Sequence, residues 1–148
     1  MGVALAQSAR GLDEGELPIG SVVVAEGEIV AHAYWRARDG LLTHPELPAL
    51  QEANRRELTL VTTLEPCLLC MAAAMFAFAE RVVFALESAT DGGTTIRDVW
   101  NPAAGSAAPY RFPAVEGGVR RDESAELVRA FLEGFPASPF ARWAQTLV

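Results

Sequence analysis

The first third of the chain alternates between helical and strand-like spacing of its apolar residues. Over residues 4–12 the apolar positions recur at helical spacing, which predicts a short helix. Residues 19–25 and 29–34 are instead rich in β-branched side chains, as strands are. Only a short segment containing Gly27 separates these two strands. The pattern therefore predicts an antiparallel hairpin.

The middle of the chain predicts two more helices, each followed by a strand. A polar loop leads to His44, from which a helix can run to Arg56, because proline is tolerated in a first helical turn. Residues 58–63 and 81–86 have the β-branched, apolar character of buried strands. Between them, residues 68–79 form a helix that is apolar nearly all round, which is typical of a helix buried in the core or at a subunit interface. The alternation of strands and helices predicts an α/β layered fold.

The last third is less regular. Residues 88–109 are rich in Gly, Ala, Thr, Asn and Pro, which predicts a long irregular loop with a helical turn near residues 96–100. A short edge strand fits residues 111–119, and residues 122–134 predict a helix with acidic residues at its start. The tail from residue 136 is apolar enough to dock on the rest of the chain.

Length and charge limit the possible functions. A chain of 148 residues with 51% hydrophobic content can build one core, so residues 1–148 are expected to form a single domain. The net charge of −7 disfavours nucleic acid as a partner, because phosphate-binding surfaces need Lys and Arg, and favours a small neutral or cationic substrate. The longest apolar run, residues 68–79, is shorter than the roughly 20 residues that span a bilayer. We therefore expect a soluble, cytoplasmic protein without a membrane partner.

Two short fragments hold both cysteines, one of the two histidines and a glutamate. The fragments read His44-Pro45-Glu46 and Pro66-Cys67-Leu68-Leu69-Cys70. Catalytic zinc takes three protein ligands and keeps a fourth position open, and His44, Cys67 and Cys70 supply three. Cysteines spaced i and i+3 at a helix start project to the same side, and the helix N-terminus favours their thiolates. Glu46, two residues beyond the histidine, can approach the open position without ligating the metal and so carry a proton.

The order H-x-E followed by P-C-x-x-C is the signature of zinc nucleobase deaminases. The flanking segments extend the match, and they read Leu17-Pro18-Ile19-Gly20-Ser21-Val22-Val23-Val24, Thr43-His44-Pro45-Glu46-Leu47, Thr63-Leu64-Glu65-Pro66-Cys67-Leu68-Leu69-Cys70-Met71 and Arg81-Val82-Val83-Phe84. In order and spacing the chain resembles the cytidine-deaminase-like superfamily, particularly its branch of tRNA adenosine, guanine and cytosine deaminases. The resemblance covers roughly residues 1–90 well and the remainder weakly.

This resemblance implies both a fold and a site. The fold is α/β, with three α/β/α layers around a five-stranded mixed sheet. The site is Zn²⁺ held by His44, Cys67 and Cys70, with the proton shuttle at Glu46. Members of the family usually dimerise, so a homodimer is expected.

Three other interpretations of the motif stay open. A redox dithiol of the thioredoxin kind also shows C-x-x-C near a strand–helix junction, but it does not require the upstream H-x-E. A structural zinc site needs a fourth protein ligand, for which only His32 or an acidic residue is available. A deaminase-like zinc-binding module without catalysis would keep all the motif residues. Metal analysis with thiol titration tests these interpretations, and stoichiometric zinc without activity on any amino-heterocycle would leave the structural site or the non-catalytic module.

Two departures from the family pattern bear on the substrate. The segment Tyr34-Trp35-Arg36 lacks the Asn that the tRNA-editing branch usually carries there to contact the nucleoside. Pro45 stands where the family commonly has a residue whose N–H donates to the substrate ring, and proline has no N–H. With the acidic charge, these departures favour deamination of a free nucleobase such as guanine, cytosine or isocytosine, or of an aminotriazine. The alternative is a tRNA adenosine-to-inosine editing deaminase.

Further residues are candidates for contacts to the substrate ring. Trp35 could stack on a planar ring, acidic residues after the fourth strand could bind an exocyclic amine, and aromatic residues of the tail could close the pocket. Core packing or loop solvation explains each of them at least as well. The candidates are Trp35, Pro66, Glu87, Asp91, Asp98, Phe140 and Trp143.

Overall fold

A five-stranded mixed sheet forms the centre of the protein. The computed structural model describes residues 1–100 and 110–148. The strands are β1 Gly20–Ala25, β2 Glu28–Tyr34, β3 Leu58–Leu64, β4 Ala79–Leu86 and β5 Ala114–Glu116, in the spatial order β2-β1-β3-β4-β5. β1 pairs antiparallel with β2 and β3, whereas β4 pairs parallel with β3 and β5. The predicted mixed sheet is thus confirmed.

Helices cover both faces of this sheet. Their bounds are α1 Gly2–Asp13, α2 Glu46–Ala53, α3 Leu68–Phe76, α4 Ile96–Val99, α5 Arg121–Gly134 and α6 Ala141–Ala144. Because side chains alternate along a strand, Val23 and Leu60 pack with α2 and α3, while the adjacent Val22 and Val61 pack with Ala4 of α1 on the other face. The predicted three-layer α/β/α arrangement is confirmed.

The predicted hairpin is closed by a two-residue turn. Ala25 pairs with Glu28, and the two residues between them, Glu26 and Gly27, have φ angles of 53° and 81°. Two successive positive φ angles are the mark of a type I′ turn, whose twist matches that of the flanking strands. The glycine at the second position takes this conformation without the steric cost that a Cβ would add.

Two predicted helices end earlier than expected. α2 stops at Ala53 rather than Arg56, because Asn54 adopts a left-handed conformation with φ 41° and its N–H bonds to the Leu50 carbonyl. α3 stops at Phe76 rather than at residue 79, because Phe78, with φ 58°, turns the chain into β4.

One face of α3 is exposed in the single chain. The buried side of the helix carries Cys70, Met71, Ala74 and Met75. Leu68, Leu69 and Phe76 are 56%, 41% and 63% exposed. Of the two predicted alternatives, the core accounts for only one face of the helix within a single copy of the chain, and a subunit interface at the other face stays a prediction.

The predicted long loop is described only in part, since residues 101–109 lie outside the described residues. In its first half the helical turn near residues 96–100 is present as α4. The expected edge strand is the short β5, and the tail folds into α6 against α5. In the described ranges no helix is long and apolar enough to cross a membrane.

Candidate active site

Two helix starts bring the three predicted ligands together. His44 directly precedes Pro45, the N-cap of α2, while Cys67 is the N-cap of α3 and Cys70 lies in its first turn. β3 runs directly into the second of these starts, at Leu64. The ligands therefore meet at the carboxyl end of β3.

The spacing of the three ligand atoms fits zinc. His44 Nδ1 lies 3.4 Å from the Cys67 Sγ and 3.5 Å from the Cys70 Sγ, and the two sulfurs are 3.6 Å apart. A tetrahedral zinc with Zn–S of about 2.3 Å and Zn–N of about 2.0 Å places sulfur and nitrogen about 3.5 Å apart and two sulfurs about 3.8 Å apart. Within residues 1–100 and 110–148, this is the one Cys, His and acidic cluster compact enough to hold a metal ion.

The electrostatics of the metal-free cluster suit a cation. The hydrogen bond between the two thiols, opposed by burial and helped by His44, lowers the pKa of Cys67 to about 4. The same bond, together with burial and the carboxylate of Glu46, raises the pKa of Cys70. The hydrogen bond with Cys67 also raises the pKa of His44. The thiol pair thus favours loss of its first proton and resists loss of its second, and the second proton must leave when a metal binds.

Glu46 lies beside the ligands and outside their triangle. Its side chain is buried, with the residue 3% exposed, and its Oε2 accepts a hydrogen bond from the Cys70 Sγ at 3.3 Å. Its Oε1 accepts a bond from the Thr62 hydroxyl at 2.8 Å. The carboxylate is thus held next to the metal position, as a proton carrier requires.

An open cavity borders this group, with about 710 Å³ of empty space when the solvent at its mouth is included. Its floor includes His44, Glu46 and Cys67. Three candidate aromatic residues line it: Trp35, Phe140 and Trp143. The rings of Trp35 and Phe140 meet edge to face, with centroids 4.8 Å apart and an interplanar angle of 80°. An aromatic, partly apolar wall of this kind suits a planar heterocycle.

One end of the cavity is shaped by the segment that follows β4. The two carboxylate oxygens of Glu65 accept hydrogen bonds from the backbone N–H groups of Ser88, at 3.0 Å, and Thr94, at 3.4 Å. The candidate Asp91 lines the cavity and accepts a hydrogen bond from the Ser88 hydroxyl. Glu65 thereby fixes the segment that presents Asp91.

Three candidate residues lie away from the cavity lining. Glu87 accepts a hydrogen bond from Arg121 Nε at 2.7 Å on the surface, and Asp98 is exposed on α4. Pro66 is fully buried, and its carbonyl accepts the Gly93 N–H at 2.8 Å. The structure does not bring these three to the substrate space, whereas Pro45 does line it and offers no N–H there.

Sequence reasoning did not single out several wall residues. The cavity is also lined by Leu17, Ile19, Leu41, Leu64 and Glu65. The paired glycines Gly92 and Gly93, which follow β4, gave a signal for a close approach at this point. A Cβ at Gly92 would collide with the Glu65 carboxylate, and a Cβ at Gly93 would lie only 2.6 Å from the Cys67 carbonyl carbon. This segment can therefore approach Glu65 and the start of α3 only with glycine.

A mixed sheet of this topology, with a Cys₂His triangle and a buried carboxylate at one edge, defines a zinc-binding deaminase domain. Residues 1–86 match the family described as the cytidine and deoxycytidylate deaminase zinc-binding region. The chain belongs to this family, and zinc is its cofactor. The family membership predicted from the motif residues is confirmed.

Two similar relatives and one similar solved structure carry names that refer to tRNA. The chain is 38% identical over 144 residues to a tRNA(Ile)-lysidine synthase of Deinococcus radiodurans, covering 87% of the chain but only 23% of the relative. It is 30% identical over 142 residues to a tRNA-specific adenosine deaminase of Agrobacterium fabrum, covering 88% of the chain and 90% of the relative. A deaminase studied for adenosine-to-inosine editing at the wobble position of transfer RNA superposes with a TM-score of 0.74 at 28% identity, covering 86% and 96%.

Proposed function

We propose that this chain is a zinc-dependent aminohydrolase that releases ammonia from an amino-substituted nitrogen heterocycle. His44, Cys67 and Cys70 would hold the zinc, which when bound supplies the positive charge that activates water as a nucleophile near neutral pH. The observation that carries this proposal is the buried carboxylate of Glu46, which lies 3.3 Å from the Cys70 sulfur and lines the cavity. Residues 1–148 would form one such domain, with the cytoplasmic location predicted from the sequence.

Glu46 is the proton carrier in this proposal. The reaction replaces an exocyclic C–NH₂ by C=O, with one water consumed and one ammonia released. The carboxylate takes one proton from the attacking water and passes it to the ring nitrogen as the C–O bond forms. It then moves the proton of the new hydroxyl to the amine, so that C=O forms, the C–N bond breaks and ammonia leaves. Its tie to Thr62 through Oε1 leaves Oε2 at the ligand side, where this transfer takes place.

The substrate supported best is adenosine within tRNA. A relative that aligns over 88% of this chain and 90% of its own length is named a tRNA-specific adenosine deaminase, and the superposed structure comes from work on wobble editing. The open mouth of the cavity suits a base that is flipped out of an RNA loop. The order of preference that the sequence predicted, free base before tRNA, is thereby reversed.

A free base is the second candidate substrate, because aromatic side chains of the C-terminal segment form part of the cavity wall and could enclose a small planar ring. Phe140 and Trp143 follow α5 and line the same space as Trp35. Asp91 adds an acceptor that suits an exocyclic amine. The net charge of −7 gives no general attraction to a phosphate backbone.

One substrate panel separates the two candidates. The zinc-loaded chain is incubated with a tRNA transcript carrying a wobble adenosine and, separately, with guanine, cytosine, isocytosine, adenine and an aminotriazine. We expect inosine in the tRNA and a kcat/KM about 100-fold above that of any free base, because contacts remote from the reacting ring contribute to the transition state. Ammonia release is the common readout, with Glu46→Gln as the blank. Turnover of a free base alone supports the second candidate, and no turnover of any substrate contradicts the proposed reaction.

We also propose that a second copy of the chain covers the exposed face of α3. Phe76→Glu places a charge on that face, where the side chain is 63% exposed, and is expected to convert a dimer into a monomer. Sedimentation velocity measures the mass. Leu42→Glu, at a side chain 74% exposed in the loop before α2, is the matched control and should leave the mass unchanged. A monomeric parent, or a dimeric Phe76→Glu variant, contradicts this interface.

A further inference from the structure

Two buried hydroxyls lead from the centre of the sheet to the carboxylate of Glu46. The hydroxyl of Ser21 in β1 donates to the Thr62 Oγ1 at 3.1 Å, and the hydroxyl of Thr62 in β3 donates to the Glu46 Oε1 at 2.8 Å. Ser21 and Thr62 are direct partners in the antiparallel register of β1 and β3. Both are 0% exposed. The three side chains form one continuous hydrogen-bond chain that runs from two hydroxyls without solvent exposure to the carboxylate that lines the cavity.

The position of this hydrogen-bond chain in the sheet indicates its role. On the face that packs against α2, the neighbouring cross-strand pair is Val23 and Leu60, which is entirely apolar. The same face becomes polar at the next pair, Ser21 and Thr62, which is where Glu46 begins α2. A buried hydroxyl is costly without a partner, so packing alone would favour an apolar pair here as well. The hydroxyl pair therefore serves the carboxylate.

The bonds also fix how the carboxylate is turned. With Oε1 tied to Thr62, Oε2 is the oxygen that faces Cys70 and the ligand triangle. Since the Ser21 hydroxyl donates to the Thr62 oxygen, the Thr62 proton is left to point at Glu46. Among the described residues, every buried side-chain polar atom has a partner, so no competing donor for Oε1 is left over.

We propose that Thr62 is a positioning residue for the proton carrier Glu46, and that Ser21 orients the hydroxyl of Thr62. This inference rests on the proposed function for its effect on turnover. The hydrogen bond from Thr62, which turns the buried carboxylate of Glu46 toward the ligands, does not depend on which substrate is used. A carboxylate that is free to rotate would spend less time in the productive geometry, which lowers kcat more than it changes substrate binding.

The catalytic test uses substitutions that keep the shape of the side chains. Thr62→Val removes the hydroxyl at nearly constant volume and is expected to lower kcat by about 30-fold, with KM within about twofold of the parent and full zinc content. Thr62→Ser keeps the hydroxyl and should recover kcat to within about fivefold of the parent. Ser21→Ala, one bond further away, should lower kcat by about threefold. Thr62→Val with an unchanged kcat overturns the positioning role.

A second measurement tests the hydrogen bond without any activity. Thermal unfolding of the metal-free protein is measured for four variants that all carry Ser21→Ala: this substitution alone, with Thr62→Val, with Glu46→Leu, and with both. Because Ser21→Ala removes the bond between Ser21 and Thr62 in every variant, Thr62→Val then removes only the bond to Glu46. In this background Thr62→Val should lower Tm by about 3–6 °C, because it leaves a buried carboxylate oxygen unpaired. When Glu46→Leu is also present, the same substitution should lower Tm by less than about 1 °C. Equal effects in both backgrounds overturn the inference.

The two measurements separate the two proposals. Coupling between positions 62 and 46 in a protein that turns over no substrate supports the positioned carboxylate and contradicts the proposed reaction. Turnover by the parent without such coupling supports the reaction and overturns the positioning role of Thr62. Recovery by Thr62→Ser distinguishes a lost hydroxyl from a general loosening of the core, since the serine creates a cavity but keeps the donor.

Discussion

Replacing Glu46 by alanine or glutamine should abolish turnover while the protein keeps its fold and about one zinc per chain. The side chain lies beside the ligand triangle and is not one of the three ligands, so the metal does not depend on it. A positioned acid–base group contributes about 10²–10⁴-fold to a rate. We expect kcat to fall by at least about 10³-fold, measured as ammonia release with the best substrate from the panel.

A matched control is available on the same helix. Glu52 also belongs to α2 but is exposed, so Glu52→Gln should leave kcat, zinc content and Tm unchanged. Zinc content is measured by mass spectrometry of the metal in each purified variant. If Glu46→Gln retained substantial activity, the assigned role would be wrong, and if it lost its zinc the carboxylate would have to be counted as a ligand.

Replacing Cys67 by alanine should remove the zinc and destabilise the protein. Cys67 is a proposed ligand whose pKa is lowered to about 4, chiefly by the hydrogen bond with Cys70 and also by His44, which favours the thiolate form that a metal binds. Two remaining ligands bind zinc far more weakly than three. Because metal binding is coupled to folding, Tm should fall to the value that the parent shows in the presence of a chelator. Zinc stoichiometry and thermal unfolding with and without chelator are the measurements.

The two histidines give this prediction its sharpest control. His44→Ala should lose zinc as Cys67→Ala does, because its Nδ1 is 3.4 Å from the Cys67 sulfur. His32 is exposed on β2 and contributes to a different surface pocket, so His32→Ala should keep one zinc per chain. Loss of zinc in the second variant would support a structural four-ligand site instead. An unchanged zinc content in Cys67→Ala would contradict the ligand set altogether.

Local features of the chain were predictable because their causes are local. Strand and helix positions follow from side-chain periodicity, and the hairpin follows from a glycine that tolerates a positive φ. The helix ends at Ala53 and Phe76 were misplaced because Asn54 and Phe78 turn the chain by backbone conformations that hydrophobic spacing does not encode. The choice between core and subunit interface for α3 was left open for a related reason, since composition does not say which side of a helix meets the sheet.

The candidate site likewise has features that could be predicted from local sequence and features that depend on long-range packing. By itself, the sequence was enough to predict the candidate ligands and proton carrier, because a chain with two cysteines and two histidines leaves few ways to compose a Cys₂His zinc site, and helix starts orient such side chains locally. Only the tertiary structure decided which candidates meet the substrate. Trp35 and Phe140 are far apart in sequence yet in ring contact, whereas Glu87 pairs with Arg121 at the surface. The bond from Thr62 to Glu46 depends on how α2 crosses the sheet, and such long-range packing carries no local signature in the sequence.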